Sequence, residues 1–510
     1  PMADVKRLFA RYPESVRASL HLAERCAAFN LATHAPYQFP EQATPEGESL
    51  DSYLTRICHE KFDERFPPDH PRREVAWDRL NEELDLIAKQ RLAAFFLMHH
   101  DLLELAEEVA QRVRQEQGQP AASPLPPGRG RGSSVNSLVC YLIGLSPVDP
   151  LEHRLSLGRF LNDARTEPPD IDLDFPRKIR EQLMLGVYER YPGRVGLICT
   201  FATYKLRSAV RDIGKVLGIP VADLDRIAKL CVPGSARILR EELARMPEYA
   251  ARLDVPPWSL LIELASELAG FPRHISQHSG GMVISACPIT DLVPLQPAAM
   301  EGRWLIQWDK DSVADAGMVK LDFLALGMLE LVEECVQGIA TRHPDANVDL
   351  TRLDFADQAV FDMICEGDTV GTFQIESRAQ IQTLLKTQPR TLDDLTVQVA
   401  IVRPGPIVGG ATSPYIQRRL DPNFQITYDH PLLEPVLQDT MGVVLYQDQV
   451  IEVAQVLAGF TAGQADQLRR AMTRKRSQEA ITSLWTQFRD GATRNGVPEE
   501  TSHAIFQKLL

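Results

Sequence analysis

The run Pro168-Pro169-Asp170-Ile171-Asp172-Leu173-Asp174-Phe175 alternates acidic and apolar residues behind a pair of prolines. The prolines break whatever precedes them, and period-two alternation predicts a strand over Asp170–Phe175. On a strand, same-face neighbours lie ~6.6 Å apart. Asp170, Asp172 and Asp174 would line one face; Ile171, Leu173 and Phe175 would pack on the other. Three neighbouring carboxylates repel one another. Hard divalent cations, which prefer carboxylate oxygen, relieve that repulsion. By itself the run is equally compatible with a solvated acidic edge strand.

Further along stands Val319-Lys320-Leu321-Asp322-Phe323-Leu324. The same periodicity puts Lys320 and Asp322 on one face of an otherwise apolar strand. Alone, this is a polar face with a simple ion pair. Beside the first run, Asp322 becomes a candidate third ligand. Carboxylates from two strands can bridge two ions ~3.5–4 Å apart, an arrangement suited to in-line phosphoryl transfer.

Two other runs carry possible phosphate chemistry. Gly128-Arg129-Gly130-Arg131-Gly132-Ser133-Ser134 precedes a helical pattern. Glycines let backbone N–H groups approach phosphate, and a helix start adds positive potential. No Gly-Lys-Ser/Thr follows, so it is not a Walker A loop; alone it reads as a flexible linker with a Ser cap. Asp466-Gln467-Leu468-Arg469-Arg470-Ala471-Met472-Thr473-Arg474-Lys475-Arg476 packs five basic residues into a helix-compatible run. A solvated basic face is the ordinary explanation. On an acidic chain, such density favours a polyanion, and Arg bonds phosphate bidentately. His274 and His278 have i,i+4 spacing, but Gly280-Gly281 argues against a helix carrying both; a backbone role fits better. His99-His100 reads as structural and Arg403-Pro404-Gly405-Pro406 as a rigid turn.

The formal net charge over 510 residues is 55 − 69 = −14. A protein that simply coats DNA is usually basic. Any DNA path must therefore be a concentrated basic stripe on an acidic body. Hydrophobic residues make up 44%, enough for real cores in three or four domains. The eight cysteines are scattered without CxxC spacing, which disfavours a zinc site or disulfide framework and fits a reducing cytoplasm. No apolar run reaches the ~18 residues of a membrane span. Pro1 and an uncapped helical pattern at the last residues suggest a piece of something larger.

Helices are expected over 1–35 and 50–117, with a flexible Pro/Gly/Ser loop over 119–132 and a helix over 134–145. Strands are expected at 195–201, 281–285, 304–308 and 318–323. Between them, 204–268 should be helical, with breaks near Pro220, Pro233-Gly234 and Pro256-Pro257. From 324 onward the pattern is mostly helical.

The residues alone reach metal-dependent phosphoryl or nucleotidyl transfer. The ordered strings GRGSS, GRFLN, PPDIDLDF, TFATYKLRSAVRDIGKVLG, QHSGGMVIS, QWDKD, GMVKLDFLALGML, TFQIESRAQ, VAIVRPGP, LYQDQVIEVAQVLAGF and ADQLRRAM go further. From about Gly128 to Met472 they resemble the bacterial C-family replicative polymerases, the alpha subunit of DNA polymerase III and its error-prone relatives. The resemblance implies an α/β palm of the polymerase beta-like nucleotidyltransferase type, an inserted helical thumb and mostly helical fingers. It implies a PHP remnant at 1–48, palm at 49–202 and 279–328, thumb at 203–278 and fingers at 329–510. Asp170, Asp172 and Asp322 would be the catalytic carboxylates holding two Mg2+ ions; Asp174 matches the motif less directly. Gly132, Ser133, Arg159, Lys320, Arg469 and Arg470 would bind the incoming triphosphate.

The implied partners are primer-template DNA and dNTPs, with a sliding clamp or accessory repair proteins bound by other regions. LALGML, VAIVRPGP, QWDKD and ADQLRRAM look closer to the error-prone, translesion branch. No proofreading exonuclease pattern is visible, and the Pro-rich extension before GRGRGSS is unusual. Another two-metal nucleotidyltransferase or nuclease, or a non-catalytic scaffold, are the competing functions. The first leaves Arg469 and Arg470 unused; the second leaves an intact carboxylate set unexplained.

Overall fold

The computed structural model describes residues 2–27, 39–116, 118, 128–164, 167–343, 354–403, 412–421, 423–473 and 478–509. The architecture of the described residues is mixed α/β, with strands in both of the units below and helices over most of the remainder. The chain falls into two compact units, Pro1–Pro40 with Leu185–Phe323, and Glu41–Met184 with Leu324–Leu510.

In the second unit, helices Leu50–Arg65, Arg73–Lys89 and Ala93–Glu116 precede the first strands. Ser49 starts the first of these with a capping box to Ser52. Strand β1 (Arg129–Arg131) pairs antiparallel with β2 (Asp172–Phe175). Later helices Gln447–Ala458, Ala462–Thr473, Gln478–Arg494 and Glu499–Leu509 share a core that includes Ile451, Leu457, Leu468, Phe488 and Phe506. Gly491 permits that packing: a Cβ there would lie 1.9 Å from the Ala458 carbonyl oxygen.

The first unit holds β3 (Val195–Thr203), β4 (Pro272–Ile284), β5 (Leu295–Pro297), β6 (Trp304–Ile306) and the start of β7 (Lys320–Ala325). β3 runs antiparallel to β4 and parallel to β6; β4 is antiparallel to β7, and β5 to β6. Between β3 and β4, helices Leu206–Val216, Val221–Leu230, Leu239–Ala244 and Trp258–Leu268 close on their own core. Leu206, Ala209 and Val210 supply its i, i+3, i+4 stripe, and the breaks fall at the expected prolines.

Several expectations change. The acidic strand begins at Asp172, so Asp170 lies before it. Residues 129–131, expected to be part of a flexible loop, are a strand, because β2 offers a partner that composition cannot show. The helix expected over 134–145 is a 3-10 turn, Gly132–Asn136, and a short helix, Leu138–Leu142. β4 opens at Pro272, ahead of the apolar signal, and carries both His274 and His278. The 119–127 loop, Pro404–Pro406 and Arg474–Arg476 lie outside the described residues. No cysteine is in a disulfide. Among the described residues, no helix is long and apolar enough to cross a membrane.

Candidate functional site

The β1–β2 register puts Arg131 opposite Asp172 and Arg129 opposite Asp174. The glycine-arginine motif and the acidic run, 41 positions apart, thus become neighbours. Two glycines make this possible. A Cβ on Gly128 would lie 2.3 Å from the Phe175 ring, and one on Gly130 would lie 2.9 Å from the Leu145 carbonyl oxygen. Gly132 has φ +71°, the left-handed region that favours glycine, and turns the chain out of β1. Gly132 is exposed and Ser133 half-buried.

Ile171, Leu173 and Phe175 are buried, as the alternation requires. On the opposite side, Asp170 is exposed, Asp172 half-buried and Asp174 buried. Arg131 spans two carboxylates: Nη2 lies 3.6 Å from Asp172 Oδ2, and Nε 3.5 Å from Asp174 Oδ1. Burial pushes the Asp174 carboxyl above its ordinary range, and Arg131 and Arg129 pull against that shift.

Asp322 lies on β7 in the first unit, opposite Gly281 of β4. Its Oδ2 accepts a hydrogen bond from Lys320 Nζ at 2.6 Å. Its Oδ1 is buried and has no hydrogen-bond partner. His278 Nδ1 is 3.7 Å from that oxygen, but it accepts N–H bonds from Gly281 at 2.7 Å and Gly280 at 3.3 Å. The backbone role expected of His278 is thus observed, and it directs a lone pair rather than a proton toward this corner. A buried carboxylate oxygen without a donor is costly, and a hard cation is a partner that removes the cost.

Among the described residues as they stand, no group of three or more His, Cys, Asp or Glu could hold a metal ion. The carboxylate oxygens of Asp172, Asp174 and Asp322 are hard donors of the kind a divalent cation takes, and they lie beside Arg131 or Lys320, whose charges offset theirs.

The remaining nominated cations are all held by acidic or amide side chains of the second unit. Arg159 Nη1 donates to both carboxylate oxygens of Asp448, at 2.9 and 3.1 Å. Arg469 donates to Asp466 Oδ1 through Nε at 2.9 Å and to Gln447 Oε1 through Nη1 at 3.3 Å. Arg470 Nε donates to Asp466 Oδ2 at 2.8 Å. Gln447 and Asp448 open one helix, so its first two residues hold arginines 310 positions apart. The 157–164 segment also packs directly on the helix carrying Asp466: a Cβ on Gly463 would lie 2.3 Å from the Ala164 Cβ. Gln447, Asp448 and Asp466 were not singled out from sequence. Asp466 had a signal: a carboxylate at i−3 and i−4 from two arginines on a helix.

The helix after GRGSS, Leu138–Leu142, has its first N–H groups satisfied within the chain. Glu83, fully buried, accepts from Leu138 N at 2.8 Å, Val139 N at 3.1 Å and the Ser137 hydroxyl at 2.7 Å. Cys140 N donates to Ser137 Oγ. The chain thus satisfies these helix-start donors itself. Sequence carried a clue, since Glu83 interrupts the buried stripe Ala76, Leu80, Glu83, Ile87.

Residues 52–325 match the family model described as bacterial DNA polymerase III alpha NTPase domain. Residues 328–496 match the bacterial DNA polymerase III alpha subunit finger domain. The chain is 40% identical to a protein of Mycolicibacterium paratuberculosis named error-prone DNA polymerase, over 99% of this chain and 44% of that protein. It is 37% identical to one of Pseudomonas fluorescens, over 98% of this chain and 46% of the relative. It is 35% identical to one of Bdellovibrio bacteriovorus, over 100% and 46%. Both bear the same name. The chain spans less than half the length of these relatives.

Proposed function

The chain belongs to the bacterial DNA polymerase III alpha family, and from that membership we propose that it carries the catalytic part of a template-directed DNA polymerase of the error-prone type. The observation that carries the reading is the β1–β2 register, which sets the Gly132–Ser133 turn beside Asp172. Triphosphate and metal chemistry need to share one spot, and this pairing supports that reading.

Asp170, Asp172 and Asp322 would hold two magnesium ions, which when bound supply activation of the primer 3′-hydroxyl and neutralisation of the leaving pyrophosphate. The chain's own residues bind and orient. The 132–133 turn approaches the triphosphate through its backbone. Lys320, Arg159, Arg469 and Arg470 exchange their carboxylate partners for phosphate oxygens. Arginines already held in place lose little freedom on binding, so their charge acts at small entropic cost. Template pairing selects the nucleotide, and in-line placement of hydroxyl and α-phosphate supplies much of the rate.

In this reading 49–202 and 279–328 form the palm, 203–278 the thumb and 329–510 the fingers. The helical core between β3 and β4 supports the thumb assignment. A sliding clamp or accessory repair proteins would bind other parts of a longer polymerase, which would work in the cytoplasm.

Primer extension by the full-length protein tests the function. With a primed template, dNTPs and Mg2+, ordered template-dependent products are expected. Degradation alone, or untemplated tailing alone, would reject the polymerase reading.

A further inference from the structure

We propose that Glu83 is a positioning residue for the incoming nucleotide: it anchors the Gly132–Ser133 turn without touching the substrate. The proposal rests on the triphosphate reading of that turn.

Glu83 lies on helix Arg73–Lys89, 49 positions before Gly132. Its carboxylate is fully buried. A buried carboxylate is tolerated only when neutralised and hydrogen-bonded on both oxygens. Both conditions hold. Arg79 Nε donates to Oε1 at 2.8 Å, as does Leu138 N. Ser137 Oγ and Val139 N donate to Oε2. Arg79 also donates through Nη2 to the Asn136 carbonyl at 3.0 Å. One ion pair on one helix therefore grips four consecutive residues, Asn136 to Val139.

Those residues are the downstream end of the turn. Its upstream end is fixed by β1 against β2, and Ser134 Oγ closes it by donating to the Arg131 carbonyl at 2.9 Å. The turn is thus held at both ends, with Gly132 exposed between them. The grip reaches further. Asn136 Nδ2 donates to the Ser156 carbonyl at 2.8 Å, and Ser156 precedes the Leu157–Arg159 turn. The same anchor thereby steadies the approach to Arg159, a second nominated triphosphate contact.

A plain packing role would not need this chemistry. The other buried positions of the stripe, Ala76, Leu80 and Ile87, are apolar, and an apolar residue at 83 would avoid burying a charge. What the carboxylate adds is direction: two backbone N–H groups, a hydroxyl and a guanidinium converge on it, which fixes the register of the segment they belong to.

The test compares Glu83→Gln with Arg469→Ala in the full-length protein. The readouts are the apparent KM for dNTP, kcat, primer-template affinity and the thermal midpoint. Glu83→Gln keeps the volume but turns an amide N–H toward donors. It should raise the KM for dNTP about tenfold, the effect of one lost charge-assisted set, while DNA affinity stays within about twofold. A purely structural role would lower the thermal midpoint and the active fraction without moving KM. An unchanged KM, with Arg469→Ala raising it, overturns the Glu83 proposal and leaves the triphosphate reading standing. An unchanged KM in both variants overturns the Glu83 proposal and removes Arg469 from the triphosphate contacts as well. If Glu83→Gln does not fold, Ser137→Ala, which removes one of the four donors, decides by the same readout: a raised KM supports the anchor and an unchanged one overturns it.

Discussion

Arg131 stands directly across the β1–β2 pair from Asp172 and also lies 3.5 Å from Asp174 Oδ1, so one guanidinium offsets two carboxylates of the acidic run. The side chain is half exposed, which weakens each pair through solvent screening. At Asp174, burial favours the protonated form and Arg131 opposes it. Arg131→Ala should therefore raise the Asp174 pKa further. A carboxyl-carbon NMR titration checks this; an unmoved or lowered midpoint would show that the guanidinium does not act on that carboxylate.

The orphaned Oδ1 of Asp322 and the half-buried Asp172 make a second expectation. Asp170→Ala, Asp172→Ala or Asp322→Ala should each cut primer extension by about a thousandfold or more, with the fold retained. Near-normal turnover in any one variant would remove that residue from the metal-binding set. Circular dichroism on the same samples separates lost chemistry from lost structure.

Much of this arrangement was legible where a strand has one apolar face. Ile171, Leu173, Leu321 and Phe323 are buried as their alternation demands. The helices between β3 and β4 were legible because prolines mark their ends and stripes mark their cores. β1 was not legible. Its Arg-Gly-Arg sequence has no apolar face, and it is a strand only because β2 supplies hydrogen bonds and Phe175 fills the space that Gly128 leaves. The start of β4 was hidden for a similar reason: 272–279 includes no buried residue, so no alternation appears. Partner carboxylates such as Asp448 escaped because pairing across 289 positions leaves no local trace.

Arg469 is held by Asp466 and Gln447. If it grips the triphosphate, Arg469→Ala should raise the KM for dNTP by about ten- to a hundredfold, the cost of one charge-assisted contact. Primer-template affinity should move far less. Steady-state kinetics at fixed DNA checks the first, and fluorescence anisotropy the second. A variant with weakened DNA binding and unchanged nucleotide KM would reassign Arg469 to the DNA path.

The acid stability of this chain should depend on His99. Its ring is fully buried on helix Ala93–Glu116, with Nδ1 2.8 Å from the Phe95 carbonyl and Nε2 lacking any hydrogen-bond partner. Burial pulls its pKa from 6.5 down to about 4. Between those values the unfolded chain binds a proton that the folded one refuses. Stability therefore falls as pH drops from the unfolded value through the folded one, and levels off below it. The loss attributable to this ring is on the order of 3 kcal/mol. His99→Leu deletes the titrating group and the unpartnered nitrogen together. Denaturant midpoints measured across the acid range should then decline less steeply than in the parent protein. Parallel curves would mean that other groups govern the acid limb and that this imidazole titrates alike in both states.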